Sequence, residues 1–195
     1  SSVNLLHYDD WKDTDLVETM IAFLDAVMED FIVKLEAMRD DEDVEKQQAF
    51  EFMKRAYNFA KANRALGLGV LGYHSLLQSK QLPFESKEAA ALNTEVFKLM
   101  QEKADAATKQ LATELGEPEV LKGYGRRNTT TIAIAPTTSS AFILGQVSQG
   151  IEPIWSNCYT KDVAKMKVTI KNPTLQELLA EKGEDTKVTW DSIRD

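Results

Sequence analysis

The sequence predicts an α/β fold that is rich in helix and too poor in strands to complete a sheet. Apolar residues recur at helical spacing over the first two-thirds of the 195 residues, and strand patterns follow in the last third. Two clear strands can pair with each other, but a two-stranded sheet is only marginally stable alone. We therefore expect residues 1–195 to be a single segment of a larger α/β domain, mainly helical over 1–120 and mixed in strand, loop and helix over 121–195.

Two helices are predicted in the first third of the chain. The first begins at Asp15, since Asp15 and Glu18 match a capping box, and its apolar residues recur at intervals of three and four up to Leu35. The second carries a periodic apolar pattern from Phe50 to Leu66. The acidic residues 40–43 lie between the two, and such a run of like charge is typical of a solvated loop.

A glycine-rich run, 66–72, follows and has three glycines at spacings of two and three. It matches the letters of a dinucleotide-binding fingerprint, but that fingerprint requires a preceding strand, a helix that opens after it and an acidic residue about 20 positions further on. Because a helix is predicted before the run, we favour glycines that let a helical turn pack closely on its neighbours. A long helix is then predicted from Ser86, its cap, to Gly116.

The last third carries the strand patterns. Residues 129–135 alternate Thr, Ile and Ala and are stopped by a proline, and residues 163–170 interleave Val, Met and Ile with Lys and Thr. A short helix is predicted where Thr174 and Glu177 match a capping box, and another is predicted over 188–193.

Composition and charge exclude several classes of function. The chain carries 23 Lys and Arg against 31 Asp and Glu, a net charge of -8, which argues against binding DNA or RNA because a polyanion needs a basic surface. No apolar run reaches the roughly 20 residues that cross a bilayer, so no membrane association is expected. A single cysteine cannot form a disulfide within the chain or build a cysteine metal cluster, and it fits a cytoplasmic location.

The most informative segment for function follows the first predicted strand. In α/β folds, ligands bind at the carboxyl ends of strands, and small hydroxyl residues there present N–H and O–H groups to an anion. A helix that starts near Ala141 would add the partial positive charge of its N-terminus. Caps of that helix, formed by Ser139 or Ser140, explain the same residues equally well. The predicted phosphate-binding residues, which form the hydroxyl loop, are Pro136, Thr137, Thr138, Ser139 and Ser140.

No residue is predicted to be catalytic, and no metal site is predicted because no pair of histidines and no carboxylate–histidine pair has ligand spacing. His7 and His74 lie far from the hydroxyl loop in sequence and are more simply explained as structural residues. Cys158 is interpreted as a small buried side chain, because neither a histidine nor a helix start lies beside it to activate the thiol. Glu152 is the most conspicuous acid near the loop, and no partner or role is assigned to it.

Longer motifs resemble one enzyme family. The stretch RRNTTTIAIAPTTSS over 126–140, followed at matching spacing by GIEP over 150–153, closely resembles the large subunit of aerobic class I ribonucleotide reductase. ALGLGVLG over 65–72, GEP over 116–118 and SVNL over 2–5 are similar to the same family. The resemblance therefore covers essentially the whole chain.

The resemblance implies a ten-stranded α/β barrel, of which this chain is a helix-rich slice from the second half. It implies reduction of ribonucleotides to deoxyribonucleotides by thiyl-radical chemistry, in which the loop matching 136–140 binds the diphosphate of a ribonucleoside diphosphate. The family's catalytic cysteines, glutamate and asparagine and its radical-relaying tyrosines have no counterparts here, and Cys158 matches none of the catalytic thiols. The segment is therefore expected to supply the phosphate end of the substrate pocket and part of the barrel wall, and to be inactive alone.

The partners that the resemblance implies lie outside the chain. No cofactor is expected within the segment: the radical comes from a metal-containing small subunit, electrons come from a dithiol reductant, and nucleotide effectors bind to other parts of the large subunit. The remaining N-terminal and C-terminal parts and a second large subunit, in a dimer, complete the expected assembly. Two other classes stay open: a helical interaction module whose hydroxyl loop is only a cap, and a nucleotide-binding protein without the chemistry.

Overall fold

Helices make up most of the protein. The computed structural model describes residues 1–163 and 166–194. Short 3-10 helices span Leu5–His7 and Glu119–Leu121. The α-helices of the described residues are α1 (Tyr8–Trp11), α2 (Leu16–Arg39), α3 (Val44–Asn63), α4 (Tyr73–Ser79), α5 (Lys87–Leu115), α6 (Thr138–Ile143), α7 (Pro173–Glu181) and α8 (Lys187–Ile193).

The strands in the described part of the chain form two separate two-stranded sheets. In the first sheet, β1 (Ser2–Asn4) pairs with β2 (Gly69–Leu71). In the second, β3 (Cys158–Val163) pairs antiparallel with β4 (Met166–Lys171). The register of the second sheet places Val163 opposite Met166, so these two strands form a β-hairpin.

The chain divides into two compact units. The first comprises Ser1, Asp9–Gly69 and Glu95–Ile134. The second comprises Ser2–Tyr8, Val70–Thr94 and the described residues of Ala135–Asp195. The hydroxyl loop therefore lies in the second unit.

The core of the first unit includes the interface of α2 and α3. Phe50 and Tyr57 meet edge to face there, with ring centroids 5.4 Å apart. The start of α3 is capped by Asp43, whose side chain accepts a hydrogen bond from Glu45 N. The acidic run between the helices thus provides a helix cap as well as a solvated loop. The buried residues of this interface are Ile32, Leu35, Phe50, Tyr57 and Ala60.

In the second unit, a small buried cluster holds α6. Leu71, Ala141 and Val147 are buried together, and Leu6 packs at their edge. α4 begins two residues after Leu71 and contacts both the 3-10 helix Leu5–His7 and α7. Because Ala141 belongs to α6, this cluster fixes the helix that the hydroxyl loop begins.

The first two predicted helices are confirmed, with corrections at their ends. α2 starts at the predicted position, but the side-chain oxygen at its start is Thr14 Oγ1, which accepts from Leu16 N over 3.3 Å; the predicted capping box at Asp15 is wrong. α3 ends at Asn63 instead of continuing towards residue 66, because Arg64 adopts a left-handed φ of +45°.

The third predicted helix is confirmed as α5. Ser86 Oγ accepts a hydrogen bond from Ala89 N over 3.0 Å, as expected of a cap. Gly116 follows the helix with φ +84°, a conformation that glycine adopts without strain. Both ends of this helix could therefore be predicted from single residues, Ser86 and Gly116.

Of the two strands predicted in the last third, the second is confirmed in part as β4, and the first is wrong. Within the described residues, the segment 129–135 makes one isolated parallel bridge, from Ile132 to Leu68, because alternation predicts extended backbone but supplies no partner for successive residues. Residues 166–170 of the predicted strand 163–170 belong to β4, whereas Val163 ends β3. The sheet partner of β4 is β3, and not the segment 129–135.

The glycine run forms a strand and a helix start, so its predicted helical setting is wrong. Gly69–Leu71 is β2, and Gly72, with φ +79°, is the N-cap of α4. A Cβ on Gly72 would lie 2.7 Å from Asn4 Oδ1, and a Cβ on Gly67 would lie 3.1 Å from the Ala133 Cβ. The predicted reason for the glycines, close approach of neighbouring segments, is confirmed.

The first helix after the hairpin is capped by a different residue from the one predicted. The Asn172 side chain accepts a hydrogen bond from Thr174 N over 3.1 Å, and Pro173 takes the first helical position, where its missing N–H costs nothing. The capping box of Thr174 and Glu177 is therefore wrong. The helix predicted over 188–193 is confirmed as α8.

Candidate functional site

The hydroxyl loop forms the entry to α6. Thr137 is the N-cap with a left-handed φ of +55°, and its carbonyl accepts the first hydrogen bond of the helix, from Ala141 N at 2.8 Å. The N–H groups of Thr138, Ser139 and Ser140 precede that bond, so the helix itself offers them no carbonyl. The side chains of these three residues are exposed. The loop therefore combines N–H groups of a helix start with exposed hydroxyls.

A neighbouring segment holds the loop in place. Gly150 N donates a hydrogen bond to Thr137 Oγ1 over 2.9 Å, and Thr138 Oγ1 donates to Gln149 Oε1 over 3.1 Å. Gly150 has φ +47°, and a Cβ there would lie 2.9 Å from the carbonyl oxygen of Ala135. Glycine is thus required where the GIEP motif meets the end of the extended segment.

The same geometry excludes one of the two interpretations of the serines, that they cap α6. Neither Ser139 nor Ser140 caps α6, because Thr137 occupies the N-cap position. The Thr137 hydroxyl accepts from Gly150 N and not from the N–H groups of the helix. The interpretation of the serines as caps is wrong, and their hydroxyls lie at the surface.

A cavity of about 400 Å³ also adjoins α6. Most of its wall is apolar, with Phe142, Ile154 and Trp155 among the lining side chains. The hydroxyl loop lies outside this lining, so the cavity and the loop are separate features of the second unit. The wall is formed by residues 141–142, 146–149, 152–156, 159 and 170–173.

The other residues considered in the sequence analysis, His7, His74, Glu152 and Cys158, lie outside the hydroxyl loop. His74 Nδ1 accepts a hydrogen bond from Ile154 N over 3.0 Å, and burial lowers the pKa of the His74 imidazole. Cys158 is buried at the start of β3, which confirms its interpretation as a buried side chain. Glu152 is exposed and lines the cavity, and His7 ends the first 3-10 helix. The structure does not bring these residues together with the hydroxyl loop into one constellation within the described residues.

Sequence periodicity gave no sign of a buried polar cluster in the first unit. Asp25 is 2% exposed and binds Arg64 Nε and Nη2 and Arg127 Nε, each over 2.9 Å. Asn128 donates to Asp25 Oδ1 and to the Arg64 carbonyl. Burial alone raises the pKa of Asp25, but the hydrogen bonds from Arg64, Arg127 and Asn128 outweigh burial, and the pKa lies below its ordinary value. Asp25 therefore stays charged inside the unit.

This cluster anchors the residues that lead towards the hydroxyl loop. Arg127 Nη1 also donates to the carbonyls of Leu115 and Gly116, over 2.9 and 2.8 Å, and Asn128 N donates to Thr108 Oγ1 over 2.9 Å. The second arginine and the asparagine of the RRN motif are thus structural residues. Their separation from Asp25, 102 and 103 residues, explains why no local spacing predicted the cluster.

Comparison with known proteins settles the family. The family model described as the ribonucleotide reductase barrel domain matches residues 1–123 and 118–194. The chain belongs to this family. The family prediction and the predicted fold class, a helix-rich slice of the ribonucleotide reductase barrel, are both confirmed.

Individual relatives of this barrel segment cover its length to different extents. A ribonucleoside-diphosphate reductase large subunit from Invertebrate iridescent virus 6 is 38% identical over 196 residues, which cover 99% of the chain and 19% of the relative. A vitamin B12-dependent ribonucleoside-diphosphate reductase from Mycobacterium tuberculosis is 31% identical over 130 residues, which cover 64% of the chain and 19% of the relative.

A solved structure matches the barrel segment closely. The Actinobacillus ureae class Id ribonucleotide reductase alpha subunit is 48% identical, with a TM-score of 0.83 over 98% of the chain and 33% of the alpha subunit. The chain thus spans between a fifth and a third of the length of the matched proteins. In its described part, no helix is long and apolar enough to cross a membrane, and no three His, Cys, Asp or Glu side chains are grouped to hold a metal ion.

Proposed function

We propose that the chain forms part of the large subunit of a ribonucleoside-diphosphate reductase and that its hydroxyl loop, 136–140, binds the diphosphate of the substrate. One observation carries the proposal. The chain matches the reductase barrel family along its length. At the start of α6, the N–H groups of 138–140 have no acceptor within the helix and lie beside exposed hydroxyls.

Hydrogen bonding and local charge support phosphate binding at this loop. Diphosphate oxygens accept hydrogen bonds from N–H and O–H donors, and the partial positive charge of a helix start favours an anion. The exposed hydroxyls of Ser139 and Ser140 add two donors to the N–H groups. Although the chain has a net charge of -8, residues 129–151 contain no Asp or Glu, so no carboxylate of this stretch repels the substrate.

The proposed reaction reduces the ribose of a ribonucleoside diphosphate to the deoxyribose by thiyl-radical chemistry. The reacting thiols belong to other parts of the large subunit. The residues of this chain bind the phosphate end of the substrate, and a fixed phosphate orients the ribose towards the reacting groups. The helices form part of the barrel wall around the substrate.

The proposed partners lie outside these residues. A metal-containing small subunit supplies the radical, a dithiol supplies the electrons, nucleotide effectors bind elsewhere on the large subunit, and two large subunits form a dimer. Thiol chemistry of this kind fits the reducing cytoplasm. The names large subunit and alpha subunit of two matched proteins support a two-subunit enzyme, whereas the third is named vitamin B12-dependent. For the complete large subunit that contains this chain, we expect turnover with a small subunit but not with adenosylcobalamin.

The phosphate role is tested in a chimera in which this chain replaces the matching segment of the Actinobacillus ureae alpha subunit. Ser139→Asp places a carboxylate beside the diphosphate and removes a hydroxyl. We expect the Kd for cytidine diphosphate to rise by about fivefold to 150-fold, since each lost charge-assisted contact is worth roughly 1–3 kcal/mol. Isothermal titration measures this Kd without turnover.

Thr113→Asp is the matched control, because it places the same charge on an exposed position of α5. We expect it to leave the Kd unchanged. An unchanged Kd in folded Ser139→Asp contradicts the phosphate role. Binding of cytidine diphosphate by a chimera that cannot turn it over points instead to a nucleotide-binding protein without the chemistry, and no binding by the parent chimera points to an interaction module.

A further inference from the structure

We propose that Ser75 and Ser148 are positioning residues for the hydroxyl loop. The pair ties α4 to segment 148–150, and this segment holds Thr137 in the left-handed conformation that begins α6. The inference rests on the proposed phosphate role of the loop and adds residues outside the loop that set its geometry. All the groups concerned belong to the second unit.

Ser75 and Ser148 exchange hydrogen bonds between backbone and side chain. Ser148 N donates to Ser75 Oγ over 2.9 Å, and Ser75 N donates to Ser148 Oγ over 3.2 Å. Ser75 is 5% exposed and Ser148 is 1% exposed. A buried N–H that loses its acceptor is not rescued by water, so the reciprocal pair favours a single arrangement of the two segments.

Two more hydrogen bonds join the start of α4 to the same segment. Gly72 N donates to Ser148 O over 2.8 Å, and Tyr73 N donates to Gly150 O over 3.4 Å. Together with Ser75 N, these donors belong to the first turn of α4, whose N–H groups have no carbonyl within the helix. Segment 148–150 therefore caps α4, and the helix fixes the position of the segment.

Gly150 connects segment 148–150 to the hydroxyl loop. Its N–H donates to Thr137 Oγ1 over 2.9 Å, while its own φ of +47° and its closeness to Ala135 O exclude a side chain. Thr137 has φ +55°, which a β-branched residue adopts only when its surroundings impose it. The hydrogen bond from Gly150 is such a constraint. Thr137 in turn sets the direction of the N–H groups that follow at 138–140.

The first test measures substrate kinetics in the same reductase chimera. Ser75→Ala removes the oxygen that accepts the Ser148 N–H, and we expect the KM for cytidine diphosphate to rise about fivefold to tenfold. Because Ser75 is not proposed to touch the reacting atoms, kcat at saturating substrate should change by less than about twofold. Ser75→Thr keeps the oxygen and should return the KM to the parent value.

Ser79→Ala is the matched control. It lies on the same helix, but its hydroxyl donates to Leu76 O within α4 over 2.8 Å, so we expect an unchanged KM. Hydrogen exchange of the peptide 136–150 gives a readout that needs no turnover: exchange should be faster in Ser75→Ala than in Ser79→Ala. If Ser75→Ala does not fold, Ser75→Cys serves instead, because it keeps the size of the side chain and accepts hydrogen bonds only weakly.

The outcomes separate this inference from the phosphate role. Unchanged KM and unchanged exchange in Ser75→Ala and Ser75→Cys overturn the positioning role. If Ser139→Asp weakens binding while the Ser75 variants do not, the phosphate role stands and the positioning role fails. If Ser139→Asp also has no effect, the phosphate role itself fails. A loss of kcat in Ser75→Ala that Ser75→Thr does not reverse makes the pair merely structural and likewise overturns the inference.

Discussion

At the scale of single residues, the buried carboxylate of Asp25 is predicted to contribute strongly to the free energy of unfolding, because it pairs with Arg64 and Arg127. Asp25→Ala leaves Arg64 and Arg127, which are 5% and 9% exposed, without their buried counter-charge. Breaking a buried ion pair in this way costs about 3–5 kcal/mol, and we expect that loss in the free energy of unfolding measured with urea. Asp30→Ala, which removes an exposed pair with Lys34 on the same helix, should cost less than about 0.5 kcal/mol. Equal losses in the two variants would contradict the prediction.

The Asp25 carboxylate also predicts how stability depends on pH. Its pKa is lowered in the folded state, because hydrogen bonds from Arg64, Arg127 and Asn128 outweigh the effect of burial. A group with a lowered folded-state pKa stabilises fully above its unfolded pKa, about 3.9 for Asp, and its contribution is lost as the pH falls through the folded value. The free energy of unfolding should therefore fall more steeply below about pH 4 in the parent than in Asp25→Ala. Parallel curves would show that Asp25 is not the group responsible.

The surroundings of Gly150 also predict how a substitution there changes thermal stability. Gly150→Ala and Gly183→Ala both place a side chain at positive φ, +47° and +73°, and such strain costs about 1–3 kcal/mol. Only Gly150→Ala also brings a Cβ to 2.9 Å from a backbone oxygen, that of Ala135, whereas no atom lies within 4 Å of a Cβ at Gly183. We expect Gly150→Ala to lower the thermal midpoint more than Gly183→Ala. The reverse order would rule out the close approach to Ala135.

Residues differ in how far their roles could be predicted from sequence. The hydroxyl loop could be proposed as a site from the sequence because its residues are adjacent, and a run of small hydroxyl side chains after an extended segment is a local signal. The Asp25 cluster was missed because its partners are 39 and 102 residues away, and a single carboxylate in a helix pattern carries no sign of them. Gly150 lay in a recognised motif, but its contact with Ala135 required the fold.

At the scale of elements, the structure and the sequence pattern name different residues as the N-cap of α7. Asn172 accepts from Thr174 N and is 8% exposed, so Asn172→Ala should lower the free energy of unfolding by about 0.5–2 kcal/mol. Thr174→Ala keeps that backbone donor and should have little effect. The capping box predicted from sequence reverses this order, because it makes Thr174 the cap. Urea denaturation of the two variants decides between them.

Long helices were predicted well, and strands were predicted only in part. α2, α3 and α5 carry apolar residues at a spacing that identifies a helix without reference to any partner. A strand is defined by its partner, and the pattern over 163–170 held no sign of the reversal that pairs Val163 with Met166. The segment 129–135 has the composition of a strand, yet within the described residues it makes a single bridge to Leu68.

At the scale of the whole molecule, the chain spans between a fifth and a third of the reductase subunits that it matches. Hydrophobic side chains that are largely exposed, such as Phe52 at 89% and Ile143 at 82%, occur in both units. Scattered exposed apolar residues are ordinary, but large ones in a segment of a barrel are also the side chains that neighbouring parts of the barrel would cover. Stability measurements on the variants above are therefore best made in the chimera as well as in the chain.

Because the chain has a single cysteine, we predict that the chain alone does not reduce ribonucleotides. Reducing the ribose takes two electrons, which a pair of thiols supplies when it forms a disulfide. The chain has one cysteine, and Cys158 is buried. With a small subunit and a dithiol, we expect no deoxycytidine diphosphate from cytidine diphosphate by chromatography, whereas the chimera, in which this chain completes the alpha subunit, should produce it. Product from the chain above the level of the small subunit alone would show that this segment needs no further thiols, and would overturn its proposed place as the phosphate end of a larger active site.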